Sequence, residues 1–291
     1  MSVLLQGLLY IVLAPILGGL LSGFDRILTA RIQSRVGPPI LQPFYDVGKL
    51  FSKEQLLVLK SQSIFVIGLL ISMIITGALF FAQQDFLIVM FVFSLSGVFL
   101  VLAAYQIGSP YSFVGAEREL IQMLAYEPMI LLIPVGVYMA IGSFSIQDIL
   151  NSPDPLFFQL PGIFFGYLYV LTIKLRKGPF DLSASHHAHQ ELVKGITTEF
   201  SGPNLALIEL AHWYENILLL GIIYIFFAPW PVVAVLVAIG TYALEIFVDN
   251  SFSRVKWDLL LKSSWWMTLI LGGGNIVYLY LVKQFPALFS F

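Results

Sequence analysis

No cysteine occurs anywhere in this 291-residue chain, so it can supply neither thiolate ligands for an iron–sulfur cluster nor a disulfide. Any redox chemistry must be carried by a partner. Charge is scarce as well. Asp, Glu, Lys and Arg make up 11% of the residues, and a net charge of −2 offers nothing to nucleic acid. What fills the space is apolar: hydrophobic residues reach 58%, more than a water-soluble core can hide. The composition places the chain in a lipid bilayer as a single integral membrane domain, residues 1–291.

Apolar runs of about 20 residues, the length a helix needs to cross the hydrocarbon, recur along the chain. They predict an all-α polytopic protein with eight transmembrane helices: Val3 to Phe24, Gln62 to Ala82, Phe86 to Gln106, Leu120 to Ile141, Leu156 to Lys174, Leu205 to Ala228, Pro231 to Val248 and Ser264 to Val282. The first run is expected to stay in place. No basic residue precedes it, and no small-residue cleavage site interrupts it before Phe24-Asp25-Arg26.

With eight spans, all of the 15 Lys and Arg except Lys283 fall on one side, while the opposite loops carry acids such as Asp85, Asp148 and Asp154. The positive-inside rule makes the basic side cytoplasmic and puts both termini outside, in a plasma-membrane protein. Two long loops, 25–61 and 176–204, build the cytoplasmic surface. In the first, Gly37-Pro38-Pro39 breaks any helix. Phe44, Val47, Leu50 and Phe51 then alternate with Asp46, Lys49 and Lys53 at helical spacing, which predicts an amphipathic helix lying along the membrane surface.

The second loop holds His186, His187 and His189, and its Glu191 to Phe200 segment is expected as a short helix. Three clustered histidines with neither cysteine nor a His-Glu-x-x-His spacing do not close a metal site. Polar contact with a partner protein is the better reading, so no metal is assigned to this chain. Gly272-Gly273-Gly274 in the last span reads as close helix packing rather than a phosphate loop.

Ionisable residues inside the spans carry more information. Each costs at least about 2.5–3.5 kcal/mol to insert, so it persists mostly where a cavity or a function needs it. Glu127 lies inside the fourth span. Glu209, His212 and Glu215 recur at i, i+3 and i+6 on the sixth, and Tyr242, Glu245 and Asp249 on the seventh. With Glu117, Glu119, Glu191 and Glu199 at the inner surface, these acids form a candidate hydrated path from the cytoplasm to mid-membrane. The outer halves of the spans hold no ionisable residue, so the remainder of the route belongs to a neighbour. The competing reading, buried acids held neutral between packed helices, stays open for any single glutamate.

Several ordered motifs carry a family resemblance: Asp25-Arg26, ARIQSRVGP from Ala30, LQP from Leu41, DVGKL from Asp46, Lys53-Glu54, RELIQMLAYEP from Arg118 to Pro128, PFDL from Pro179, ELVKG from Glu191 and TEFSG from Thr198. Over nearly its whole length the chain resembles the subunit 1 family of respiratory complex I, and in particular the membrane subunits of energy-converting [NiFe] hydrogenases of the Ech, Mbh and formate hydrogenlyase type. The resemblance implies a membrane anchor without a catalytic centre of its own. It would dock a soluble redox module and relay protonation changes to antiporter-like membrane subunits.

The resemblance places Tyr126-Glu127, Asp181 and Glu199 in the carboxylate path. It places Arg26, Arg31 and Arg35, with Asp46, Lys49 and the three clustered histidines, in the docking surface. Partners implied are hydrogenase large and small subunits and a ferredoxin-like cluster protein, which would hold the [4Fe-4S] clusters and the NiFe centre.

Three departures from complex I point to the hydrogenase branch. Gly37-Pro38-Pro39-Ile40 runs straight into Leu41-Gln42-Pro43, SASHHAHQ replaces an acidic segment after PFDL, and His212 stands near a usual glutamate. The alternatives are a quinone-site subunit of a complex I-type NADH or ferredoxin dehydrogenase, and a related sulfane reductase. A self-contained ion transporter would need an outward half-path and an internal repeat, and the sequence offers neither.

Overall fold

Helix α1, Val3–Ile32, continues well past the expected Phe24, because nothing in Asp25–Ile32 breaks it before Gly37-Pro38-Pro39. At 1.5 Å per residue it is about 45 Å long, against a hydrocarbon core of about 30 Å, so its final turns, bearing Arg26 and Arg31, project beyond the apolar run. The structure, a computed structural model, describes residues 3–55, 60–184, 192 and 194–285. These are helical throughout, apart from loops and two isolated bridges, Asp85 with Ser145 and Phe180 with Val255.

After α2 (Gln42–Ser52) come α3 (Lys60–Phe81), α4 (Phe86–Tyr105) and α5 (Pro110–Ile141). Asp85 caps α4 by accepting from the Leu87 and Ile88 amides. Pro110 opens α5 and Gly142, in the left-handed region at φ 89°, closes it. Helix α5 begins well before the expected Leu120, and so carries Glu117 and Glu119 as helical residues.

Pro128 inside α5 removes the amide that would bond the Leu124 carbonyl. The indole of Trp265 supplies the missing donor, Nε1 lying 3.1 Å from that oxygen. Trp265→Phe is therefore expected to destabilise the protein by about 1 kcal/mol, read by thermal unfolding in detergent. The same change made in a Pro128→Ala background should cost almost nothing. An equal cost in both backgrounds would show that the carbonyl does not depend on the indole.

The fifth expected span, Leu156 to Lys174, is realised differently. After a short α6 (Ile146–Leu150), it divides into α7 (Leu156–Gln159) and α8 (Pro161–Lys174). Pro161 cannot continue the α7 ladder, and α8 alone, at 14 residues or about 21 Å, is shorter than the hydrocarbon. Asn275 satisfies the break, its Oδ1 accepting from the Ile163 amide at 3.2 Å and its Nδ2 donating to the Gln159 carbonyl at 3.1 Å.

The remaining helices are α9 (Gly202–Phe226), α10 (Pro231–Ser251), and α11 (Trp257–Met267) joined through a π-helical stretch, Thr268–Gly273, to α12 (Gly274–Gln284). A Cβ on Gly272 would lie 2.9 Å from Leu132 Cδ1, the expected close packing, whereas one on Gly274 would meet nothing within 4 Å.

Seven helices among the described residues are long and apolar enough to cross a membrane: Leu5–Ile32, Lys60–Phe81, Phe86–Tyr105, Pro110–Ile141, Gly202–Phe226, Pro231–Ser251 and Trp257–Gln284. The protein is thus a multi-pass, all-helical membrane protein. Helix α9 runs through its middle, packed against α1, α2, α3 and α10. One end of the bundle is covered by two connections. Helix α2 seats Val47 against Trp213 and Ala206 of α9, with Phe44 edge-on to Trp213 at 5.1 Å.

Residues 178–183 run beside the α10–α11 connection, where the Val255 amide donates to Pro179 at 2.6 Å and the Asp181 amide to Val255 at 3.0 Å. Of the expected Glu191–Phe200 helix, the described residues form one 3₁₀ turn, Gly195–Thr197. It packs so closely on α5 that a Cβ on Gly115 would lie 2.4 Å from the Ile196 amide.

Candidate functional site

Glu209, His212 and Glu215 do share one face of α9, and all three line a cavity of about 140 Å³. Its other walls are Ser22 and Asp25 of α1 and the end of α8 with the residues after it, Lys174, Arg176 and Lys177. A second cavity of about 80 Å³ lies between α1, α2 and α9, and shares Ser22, Glu209 and Trp213 with the first. Arg26 and Asp46 border it on the α2 side. Glu209 therefore stands between a cleft under the first loop and the deeper cavity.

At the deep end, Glu215 Oε1 accepts from Lys174 Nζ at 3.0 Å and its Oε2 faces His212 Nδ1 at 3.2 Å. Both partners of the ion pair are nearly dry, with side chains 8% and 7% exposed. Lys174 Nζ also sits 4.1 Å from the centroid of Phe93 and 4.4 Å from that of Tyr126, where the ring faces offer electron density to the cation. A buried charge pair survives only with this degree of compensation.

Four further acids lie beside cations. Lys177 bonds Asp25. Glu119 accepts from Ser183 Oγ and lies 3.9 Å from Arg176. Arg118 bonds Asp181 at 2.6 Å and lies 5.8 Å from the Trp257 ring. Asp249 Oδ1 accepts from the Gly178 amide at 2.7 Å and from Arg254 at 3.0 Å.

Glu117 and Glu199 sit nearer the surface, bonded by Tyr105 at 2.7 Å and Ser109 at 3.0 Å. Glu245 is 2% exposed, and its Oε2 has no partner among the described residues. Glu127 is half-buried on α5, outside the cavity that holds Glu209, His212 and Glu215. Glu191 and the histidines 186, 187 and 189 lie outside the described residues.

Reading the carboxylates alone missed their partners. Lys174, Arg176 and Lys177 had counted only toward membrane orientation, yet three cations within four positions at the end of an apolar run, beside an acid-bearing helix, are a signal of pairing. In the first loop, Arg26 bonds Asp46 at 2.6 Å and Gln42 adds a contact at 2.9 Å. Partial burial pushes the Asp46 carboxyl up, and those bonds, with the charges of Arg26 and Lys49, outweigh it and hold the group below the usual carboxylate range. Arg31, Arg35 and Lys49 are exposed, and Val36 beside them is 89% exposed. Among the described residues no group of three or more His, Asp or Glu is placed to hold a metal ion.

Comparison with known proteins extends this description. The chain is 27% identical to hydrogenase-4 component C of Escherichia coli (strain K12), covering 90% of each chain. It is 25% identical to formate hydrogenlyase subunit 4 of the same organism, covering 90% of this chain and 93% of the other. It is 27% identical to NADH-ubiquinone oxidoreductase chain 1 of Dictyostelium citrinum, over 90% of this chain and 91% of that one. A chain in the structure of the membrane-bound sulfane sulfur reductase, an archaeal respiratory membrane complex, superposes with a TM-score of 0.81 at 26% identity, covering 95% of this chain and 99% of that one. The family described as NADH dehydrogenase matches residues 5–280, and the chain belongs to it, among the membrane subunits of complex I-like oxidoreductases and hydrogenases.

Proposed function

We propose that this chain is the membrane anchor and ion-coupling subunit of a ferredoxin-linked, energy-converting complex of the [NiFe] hydrogenase type. The observation that carries the reading is the dry Lys174–Glu215–His212 cluster, at the end of a polar cleft that opens beneath the first loop. Charges so placed respond to protonation at one end of the bundle while the rest of the bundle stays apolar. The hydrogenase-type relatives support this branch.

A sulfane-reducing complex is the second reading, favoured by the 0.81 TM-score likeness to that complex's chain. The anchoring role is the same in both.

In this reading α7 and α8 together make an eighth crossing, α2 lies amphipathically on the cytoplasmic surface, and both termini are outside. The NiFe centre and the [4Fe-4S] clusters belong to the soluble large and small subunits and a ferredoxin-like partner. Antiporter-like subunits complete the ion route laterally through the bilayer. Arg26, Arg31, Arg35, Asp46 and Lys49 form the docking surface, together with the three clustered histidines.

Replacing both Arg31 and Arg35 with Ala is expected to release most of the soluble module from membranes washed with moderate salt. Quantifying the large subunit in pellet and supernatant checks this. Full retention in the pellet would remove the docking role.

A further inference from the structure

The cavity beside α9 is electrically balanced. Asp25, Glu209 and Glu215 bring carboxylates to it, and Lys174, Arg176 and Lys177 bring permanent cations. Two of these are paired at contact, Lys174 with Glu215 and Lys177 with Asp25, and Arg176 leans toward Glu119 at 3.9 Å. A sodium ion taken up at Asp25 or Glu215 would have to displace an ammonium, and Glu209 alone would offer it one carboxylate among three cations. Glu209 and His212 can change their charge without breaking one of these contact pairs, and of the two His212 is the one that meets Glu215. A carboxylate oxygen only accepts, so His212 Nδ1, 3.2 Å from Glu215 Oε2, carries the proton of that bond. The tautomer so assigned leaves Nε2 as the basic nitrogen of the ring.

We propose that His212 is a proton-operated latch on the Lys174–Glu215 pair, and that the ion this cavity handles is the proton rather than sodium. With His212 neutral, Glu215 is the sole countercharge of Lys174. A proton delivered past Glu209, one helical turn before His212 and on the wall between the two cavities, converts the ring to imidazolium. Glu215 is then shared between two cations. Its hold on Lys174 slackens, and Nζ moves further onto the faces of Phe93 and Tyr126, which it already approaches at 4.1 and 4.4 Å.

The displaced charge arrives at Tyr126, and Tyr126, Gln122 and Glu119 lie along one stripe of α5. Gln122 Nε2 on that stripe is buried without a partner among the described residues, free to respond. Facing His212 are Glu209 and Glu215 on its own helix, Asp25 from α1, and Lys174, Arg176 and Lys177 from α8 and the residues after it. This inference deepens the coupling reading and rests on it.

The test uses the whole complex reconstituted in lipid vesicles, comparing wild type, His212→Gln and Glu215→Gln. The readout is ions moved per electron transferred, across a pH series, in potassium buffer with and without added sodium. Glutamine can still donate to Glu215 but cannot take a proton. The expected result is a ratio about tenfold or more lower in His212→Gln, loss of a pH inflection that wild type shows, and no effect of sodium on either.

A His212→Gln ratio and inflection equal to wild type, with Glu215→Gln uncoupled, would overturn the latch and leave the coupling reading standing. A wild-type complex that moves no ions per electron would overturn both. A sodium-dependent shift of the wild-type inflection would overturn the proton assignment. Infrared difference spectra across the same pH steps give a readout independent of turnover: a histidine ring band that titrates in wild type, vanishes in His212→Gln and shifts in Lys174→Gln. A wild-type spectrum without that band would also overturn the latch.

Discussion

Replacing Glu215 with methionine is expected to destabilise the protein by about 3–5 kcal/mol, and replacing Lys174 with methionine by a similar amount. Each change strands one charge in a setting whose side chains are 8% and 7% exposed. The desolvation penalty of that charge then goes unanswered. Phe93 and Tyr126 offset part of it when lysine is the survivor, because the ring faces remain beside Nζ. His212 offsets less when glutamate survives, since only its protonated form adds an opposing charge.

The double variant Lys174→Met/Glu215→Met should recover most of the lost stability. Two apolar side chains of similar volume leave no buried charge to compensate, and such replacements are often neutral or better. Coupling should not recover with it. Thermal unfolding of the purified complex gives the first quantity and ions moved per electron the second. If the two single costs simply add in the double variant, the pair is not an energetic unit. If coupling returns with stability, the charges are structural only.

The parts of this fold that hydropathy records were legible in the sequence, and those set by distant contacts were not. Seven apolar runs appear as crossing helices because a continuous run must satisfy its own backbone in hydrocarbon. The apolar runs stop short of the charged ends of α1 and α5, since Arg26, Arg31, Glu117 and Glu119 depress hydropathy without interrupting a helix. The break in the fifth run was announced by Pro161-Gly162. The surrounding apolar residues masked it, and the group that satisfies it, Asn275, lies far away in sequence.

The recurrence of Glu209, His212 and Glu215 on one face needed only helical periodicity. Their cations needed tertiary structure. Arg118 meets Asp181 only because residues 178–183 run beside Val255 and the following 3₁₀ turn closes onto α5, and no local spacing encodes that path. The family motifs bridged part of the gap, locating the charged loops without saying what pairs with what.

Gly18→Ala and Gly23→Ala are expected to open the seam that holds the first loop against the charged cavity. A Cβ on Gly18 would lie 2.5 Å from the Trp213 carbonyl oxygen of α9, and one on Gly23 would lie 2.0 Å from that of Ile40. Both obstacles are backbone, so no side-chain rotation relieves them, and α1 must move away from α9 or from the loop that leads into α2. Overpacking of this kind costs about 1–3 kcal/mol.

The sign should reverse at Gly48 and Gly240, which sit inside α2 and α10 with nothing within 4 Å of an added Cβ. There alanine lowers the conformational entropy of the unfolded chain and should stabilise by about 0.5–1 kcal/mol. All four changes add the same methyl group to a helix, so hydrophobicity and helix propensity cannot separate them, and only the neighbours can. Thermal unfolding reports the stabilities, and protease cleavage at Arg31 and Arg35 reports whether the loop has lifted. Faster cleavage confined to Gly18→Ala and Gly23→Ala would locate the contact that keeps the first loop over the Lys174–Glu215–His212 cluster. Equal cleavage in all four would mean that α1 tolerates displacement, and that the loop is held by Arg26, Asp46 and Gln42 rather than by the helix seam.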